Sequence, residues 1–504
     1  MSAVAGRPAG GRAASRAGAE PASPSRFPAP LERAGAAVLV VLAVGGWAIT
    51  RTVPNYDSYY HLVWGRELLA GTTPSLQAYA APTEHPLYLA LGALLSLLGE
   101  GGDRALVLVC LLAHAALVFG AYRLGAAAFG RWPGLLGAAF VAASASFLLY
   151  AMRAYVDTPF LALVVWAGAL EVERERKGGS YAAPGTLLAL AGLLRPEAWV
   201  LAGLYWLWAL SPLPARRPRP AAIAGLTATV IVPPLLWCLV DLAATGDPLW
   251  SLHATSELAD DLGREQGLGA VPGAFVSFIG ATVRPPVAVL AVIGAWLGVR
   301  RLGWAAMRVP FALFGAGVAT YVGTGILGLS ILPRYLTVPA VALCVLAGYA
   351  LAGFTTLPHG AVARRRWARA SAAAAVLGAA VLALAAPSLR AITAELAFIR
   401  DSHAGLVATL DAPPVRAGMR CGPLTFPNYR LVPDSRWHLD AGRTAVSARS
   451  ARRRATGVAV FPLTPKGLRR YGFADGASPT TNVPDPGFRP VYRNEWFAAY
   501  VACG

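Results

Sequence analysis

Long apolar runs, separated by short polar stretches, dominate this chain. They centre near residues 43, 113, 142, 164, 188, 204, 231, 292, 318, 345 and 378. Each approaches the roughly 20 residues that a membrane-crossing helix requires, some only with flanking residues. The pattern predicts eleven spans. A further run, Pro86 to Gly99, has about fourteen residues, a length more typical of an interfacial or re-entrant helix.

The polar stretches set the sides. Arg123 with Arg131, Arg174 with Arg176 and Lys177, Arg216 with Arg217 and Arg219, Arg300 with Arg301 and Arg308, and Arg364 to Arg366 with Arg369 form five basic loops. With Pro86–Gly99 left in the first external loop, all five fall on the side of the arginine-rich N-terminus, the cytoplasmic side by the positive-inside rule. The C-terminus is then external. The expected layout is a disordered cytoplasmic tail (1–34), a transmembrane domain (35–387) with external loops at 51–103 and 244–283, and an extracytoplasmic domain (388–504). The first apolar run, about Gly35 to Thr50, has no convincing cleavage site before Arg51 and reads as a retained helix. No internal repeat is visible.

Composition agrees with this layout. With 56% apolar and 14% charged residues, the chain is solvated largely by lipid. A net charge of +18 would suggest nucleic acid in a soluble protein, but here the basic residues orient helices and no nucleic-acid-binding module is present. Richness in Ala, Gly and Arg resembles a chain from a GC-rich bacterial genome, which suggests a bacterial plasma membrane. The expected fold class is therefore an all-α polytopic membrane protein with a small external α+β domain, whose β-prone runs are GVAVFPL and WFAAYVAC. Cys110, Cys238 and Cys344 lie in spans, while Cys421 and Cys503 are the only two outside them and are expected to pair.

The candidate chemistry collects on the external side. Ionisable residues at membrane depth are costly and are functional candidates by default. In NYDSYYHLVWGRELLAG, Tyr60, His61 and Trp64 follow Asp57 at helical spacing, which predicts a surface helix ending at Gly71. Asp57 is either a reactive carboxylate or the helix cap, with the aromatics as interfacial anchors. Glu84 and His85, before Pro86, bring a second carboxylate and an imidazole; capping is an equal reading, and two ligands are too few to define a metal site. Arg153, Tyr155 and Asp157 lie in a very short external turn, where Asp157 or Thr158 is again either functional or a cap. Arg195 and Glu197 form a similar turn, and Arg334 and Tyr335 begin the tenth span. Guanidinium groups at external helix starts suit a phosphate, although a single such Arg commonly only snorkels. Gly246–Pro272, with Trp, His and five acidic residues, is longer than a plain connection and reads as a substrate loop or as a solvated linker with a short helix.

The order of these features resembles the membrane glycosyltransferases of the GT-C fold, in particular relatives of the protein O-mannosyltransferases and aminoarabinose transferases of actinobacterial type. The resemblance is architectural over most of the chain. It implies that Asp57 is the catalytic base, that TEHPLYLALGALLSLLG is the interfacial helix with Glu84 and His85 before its proline, that MRAYVDTPFLAL supplies Asp157 as the second acidic residue, and that LLRPEAW and PRYLTVPA carry the arginines near the donor phosphate. Many relatives carry an acidic pair where this chain has only Asp57. The implied catalytic residues are Asp57, Asp157 and Glu84, and the implied substrate-binding residues are Tyr60, His61, His85, Arg153, Arg195, Glu197, Arg334 and Tyr335.

The implied reaction moves a sugar, arabinose or mannose being plausible, from a polyprenyl phosphate to an acceptor hydroxyl on a cell-envelope glycan, lipid or protein. Asp157 and Glu84 orient the acceptor or hold a divalent cation; no metal ligand set and no cofactor beyond the lipid-linked donor is assigned. The rival class is a transporter or lipid flippase. Such proteins place their sites near the bilayer midplane, often between paired repeats, which this pattern does not suggest.

Overall fold

A computed structural model describes residues 26–214, 217–384, 386–473 and 482–503. Residues 1–25, most of the expected tail, and Arg216 of one basic loop lie outside the described residues. The remainder of the expected tail, 26–34, is structured: α1 (Ala29–Thr50) begins at Ala29, not near Gly35. Arg26 pairs with Glu32, and Glu32 accepts from the Tyr122 hydroxyl at 2.8 Å. Local composition could not reveal that anchor, because Tyr122 lies 90 residues further on.

The segment after α1 holds α2 (Tyr56–Leu69) and α3 (Pro86–Ser96). Gly65 and Gly92 let these two helices touch: a Cβ on Gly65 would collide with the Ala93 backbone, and one on Gly92 with the His61 carbonyl. The membrane body follows as α4 (Gly102–Phe129), α5 (Arg131–Ala143), α6 (Ala145–Met152), α7 (Asp157–Lys177), α8 (Ala182–Gly192), α9 (Glu197–Leu210) and α10 (Pro220–Thr245). It continues through α11 (Trp250–Asp261), α12 (Val271–Val283), α13 (Pro285–Leu302), α14 (Trp304–Ile326) and α15 (Thr337–Ala352).

Among the described residues six helices are long and apolar enough to cross a bilayer, or seven if the bent pair α5 and α6 counts as one span. This identifies an integral membrane protein. Of the eleven expected spans, those at α8 and α9 are shorter apolar helices of 11 and 14 residues, and the one at α7 ends in charged turns. The Gly246–Pro272 region carries one short helix, the 12-residue α11, as in the reading of a linker with a short helix. α4 and α15 form the centre, with Leu106, Val107, Cys110, Ala340, Val341 and Val345 excluded from solvent. α10 and α13 keep most of their apolar surface exposed, as lipid-facing helices do.

Two further helices, α16 (Val362–Leu384) and α17 (Ala386–Asp411), lead to the C-terminal domain. There α18 (Pro413–Gly418), β1 (Leu424–Phe426), α19 (Val432–His438), β2 (Val446–Ala448), β3 (Gly457–Pro462), α20 (Pro465–Tyr471), β4 (Arg489–Arg493) and β5 (Phe497–Ala502) form a mixed sheet of order β2-β1-β3-β5-β4. β1 runs parallel to both β2 and β3, and β5 is antiparallel to β3 and β4. Leu406 and Leu410 of α17 pack with Leu424, Phe426, Val458 and Val460 in the domain's own core. Cys421 and Cys503 are joined by a disulfide with Cα atoms 5.1 Å apart.

Candidate functional site

The local geometry around Asp57 begins with Asn55, which caps α2 by accepting from the Ser58 amide at 3.2 Å. The capping role weighed for Asp57 therefore belongs to Asn55, and Asp57 lies in the first turn with its side chain free for another partner. Three bonds tie this helix start to the 153–154 turn. The Asn55 backbone and side-chain amides donate to the Arg153 carbonyl at 2.8 and 3.1 Å, and the Ser58 hydroxyl donates to the Ala154 carbonyl, which also accepts from Tyr88 of α3. Ala154 holds φ at +52°, a left-handed conformation unfavourable to a residue with a Cβ.

These contacts place Asp57 opposite Arg334. Their Oδ2 and Nη1 atoms lie 2.9 Å apart, with the two side chains about a quarter exposed, 24% and 26%. The Arg334 Nε is buried without a partner. Tyr335 lies beside both guanidinium groups, its ring 5.9 Å from that of Arg334 and 5.1 Å from that of Arg195. Arg195 is buried and fully engaged: it pairs with Asp157 through one terminal nitrogen and with Glu197 through Nε and the other. Asp157 keeps one buried oxygen unpartnered. Six of the expected residues, Asp57, Asp157, Arg195, Glu197, Arg334 and Tyr335, are thus brought together in one array in which the acids alternate with the arginines.

Two histidines form one side of the array. The His61 Nδ1 lies 2.7 Å from the Asp57 carbonyl; donation there leaves Nε2 bare and unpartnered. Its ring stacks on that of His85 at 5.2 Å and 12°. Burial pushes the His61 imidazole down to about 4. Burial, then His61, Arg195 and Arg334, hold His85 well below its ordinary value. Both rings are therefore neutral near pH 7, and each offers an unpartnered ring nitrogen.

Other expected residues are placed elsewhere. Tyr60 and Trp64 are not beside the Asp57 carboxylate; both are buried against Leu76 and Leu89. Helical spacing does not resolve neighbouring faces of a helix that is buried nearly all round. Arg153 points toward the C-terminal domain near Tyr471 and Arg470. Glu84 is buried with neither carboxylate oxygen partnered. Burial, reinforced by Asp241, holds its carboxyl well above the usual range. It lines a small cleft with Thr83, Ser251 and Thr255, beneath α11. Asp157 pairs with Arg195 while the Glu84 carboxylate has no partner, and among the described residues no three His, Cys, Asp or Glu side chains gather as a metal site would require.

A clamp that joins α2 and Ser75 to the C-terminal domain carries no signal in the sequence. Arg66 donates to the carbonyls of Arg436 and Trp437 at 2.8 and 3.2 Å. Arg436, buried, donates to Ser75 at 3.0 Å and pairs with Glu67. His403 of α17 lies 3.0 Å from Asp434 and stacks on Tyr59. Arg66 and Arg436 reach partners 361 to 371 residues away, and no sequence signal joins them.

Behind the array lies an apolar cavity of about 710 Å³ between α3, α4, α7 and α8, lined by Leu87, Leu91, Leu163, Trp166, Leu187 and Leu194 among others. Leu194 directly precedes Arg195, and Pro159, also on the wall, is two residues from Asp157.

Residues 82–237 match the dolichyl-phosphate-mannose-protein mannosyltransferase family. That stretch takes in Glu84, His85, Asp157 and Arg195 and stops short of Asp57 and Arg334. Among curated proteins nothing matches the chain. In structure it is similar to ArnT from Cupriavidus metallidurans bound to undecaprenyl phosphate, with TM-score 0.55 and 14% identity over 92% of this chain and 97% of that one. The Archaeoglobus fulgidus oligosaccharyltransferase tethered to an acceptor peptide overlaps at TM-score 0.48 with 10% identity, covering 84% of this chain and 64% of that one. The ArnT likeness extends over nearly the whole of both chains, and the fold of this membrane protein is that of the GT-C glycosyltransferases.

Proposed function

We propose that this protein transfers a sugar from a polyprenyl phosphate to an acceptor hydroxyl at the external face of the membrane, with Asp57 as base. The observation that carries the reading is the Asp57–Arg334 pair, 2.9 Å apart, in an acid–arginine array next to an apolar cavity. A lipid-linked donor needs both: a cavity for its isoprenoid units and fixed positive charge at its phosphate. The undecaprenyl phosphate bound by the Cupriavidus ArnT agrees with that donor class.

The chemistry follows from the charges. The acceptor oxygen attacks the anomeric carbon and its proton passes to an Asp57 oxygen. The bond from that carbon to the phosphate oxygen breaks, its electron pair leaving with the polyprenyl phosphate. Arg334 stabilises the charge gathering on the phosphate, since its Nε is buried and unengaged. Arg195, committed to Asp157 and Glu197, contributes its field and fixes the array. His61 and His85 add no positive charge at neutral pH, and their bare ring nitrogens suit sugar hydroxyls. No step is assigned to a cation. The N-terminus is cytoplasmic in this reading, and the C-terminal domain lies outside, where the acceptor is met.

The test is transfer of radiolabelled sugar by the purified protein in liposomes, from a panel of polyprenyl-phosphate donors to cell-envelope acceptors. Labelled product from one donor supports the reading. No product from any donor would overturn it.

A further inference from the structure

We propose that Tyr56, Tyr79 and Tyr429 form the acceptor subsite and that it takes a carbohydrate ring, an inference that rests on the transfer activity proposed above. Tyr56 immediately precedes Asp57. Its ring meets that of Tyr429, from the C-terminal domain, edge to face at 5.2 Å, and Tyr429 meets Tyr79 at 6.3 Å and 81°. Tyr79 is 43% exposed, while Tyr56 and Tyr429 are half-buried. The three rings form a shelf that begins one residue from the proposed base.

The shelf is held in place. The Tyr56 hydroxyl donates to the Ala80 carbonyl at 2.6 Å, and Ala80 holds a left-handed φ of +56°, a conformation that persists only where neighbours impose it. Its two sides are fixed by Arg436, which joins Glu67 and Ser75 of the segment after α1 to α19. The Arg430 guanidinium lies 6.0 Å from the Tyr429 ring.

The chemistry selects the occupant. Tyrosine joins a flat apolar face to a hydroxyl at its edge, which suits a sugar ring with C–H groups on its faces and hydroxyls around its rim. A lipid acceptor would need an aliphatic wall, and the aliphatic cavity lies elsewhere, among Leu87, Leu163 and Leu187. A ring on the shelf would present a hydroxyl toward Asp57, so the C-terminal domain supplies part of the acceptor site.

Binding and transfer are tested separately. Oligosaccharide binding to the full-length protein, read by saturation-transfer NMR, is expected in wild type and weakened about three- to tenfold in Tyr79→Ala, the range of one aromatic contact, with recovery in Tyr79→Trp. In transfer assays Tyr79→Ala and Tyr429→Ala are expected to raise the acceptor KM by a similar factor and leave the donor KM unchanged. Tyr79 is half exposed, so its variant retains the fold even if Tyr429→Ala does not. Oligosaccharide binding without transfer would contradict the enzymatic reading while the subsite stands. No oligosaccharide binding, unchanged binding in Tyr79→Ala, or a wild-type preference for a serine peptide over glycans would overturn the subsite.

Discussion

Arg334→Gln separates the role proposed for this residue at the donor phosphate from a purely structural one. Arg334 makes a single ion pair, to Asp57 at 2.9 Å, and both side chains are about a quarter exposed. Solvent weakens such a pair, so its net contribution to stability is about 1–2 kcal/mol. The chemical role is larger. A preorganised donor aimed at charge that develops in the transition state contributes about 2.7–4 kcal/mol, or roughly 10²–10³ in rate. The variant is therefore expected to fold, to melt only slightly earlier than wild type, and to lose two to three orders of magnitude in kcat. Arg334→Lys keeps the charge without the planar fork and is expected to recover about tenfold of that loss. Initial rates of transfer in liposomes, measured beside thermal unfolding of the same preparations, give both numbers. A folded Arg334→Gln protein turning over within about threefold of wild type would refute the reasoning.

Asp157 is 1% exposed and paired with Arg195, so Asp157→Asn leaves a buried guanidinium with Glu197 alone; a loss of about 3 kcal/mol or more is expected by chemical denaturation, and less from Glu197→Gln. The Cys421–Cys503 bridge spans 82 residues, a loop length worth about 4–5 kcal/mol in the chain-entropy estimate, and reduction is expected to lower the melting temperature of the C-terminal domain markedly. His403 is depressed by burial, but Asp434 and Asp103 more than reverse this and its pKa is raised. Its contribution is fully present below the unfolded value near 6.5 and is lost as pH rises through the folded value. The melting-temperature gap between wild type and His403→Gln should therefore be wider at about pH 5.5 than at about pH 8.5.

What the sequence disclosed follows the range of the interactions involved. Membrane location and the shortness of the helix at Pro86 were legible because apolar run length is a local property, and α3 starts at Pro86 as its position predicts. The turns bearing Asp157, Arg195 and Arg334 were legible because charges at the ends of apolar runs are conspicuous. Their pairing was not: Asp57 and Arg334 lie 277 residues apart. The expected spans near residues 188 and 204 correspond to the short helices α8 and α9, of 11 and 14 residues, because apolarity alone does not fix helix length. Tyr60 was misplaced because α2 is buried on most sides, so its period does not identify the face that carries chemistry. The Arg436 clamp was invisible since one Arg in a basic domain carries no mark of its partner.

The central claim is that Asp57 takes the acceptor's proton during transfer, and the most direct measurement is the initial rate of sugar transfer by Asp57→Asn against wild type at matched expression. Base catalysis contributes about 10²- to 10⁴-fold, and asparagine keeps the size and a hydrogen-bonding oxygen while removing the charge. A loss in that range, with the donor KM little changed, is the predicted result. Full activity in the folded variant would contradict the account.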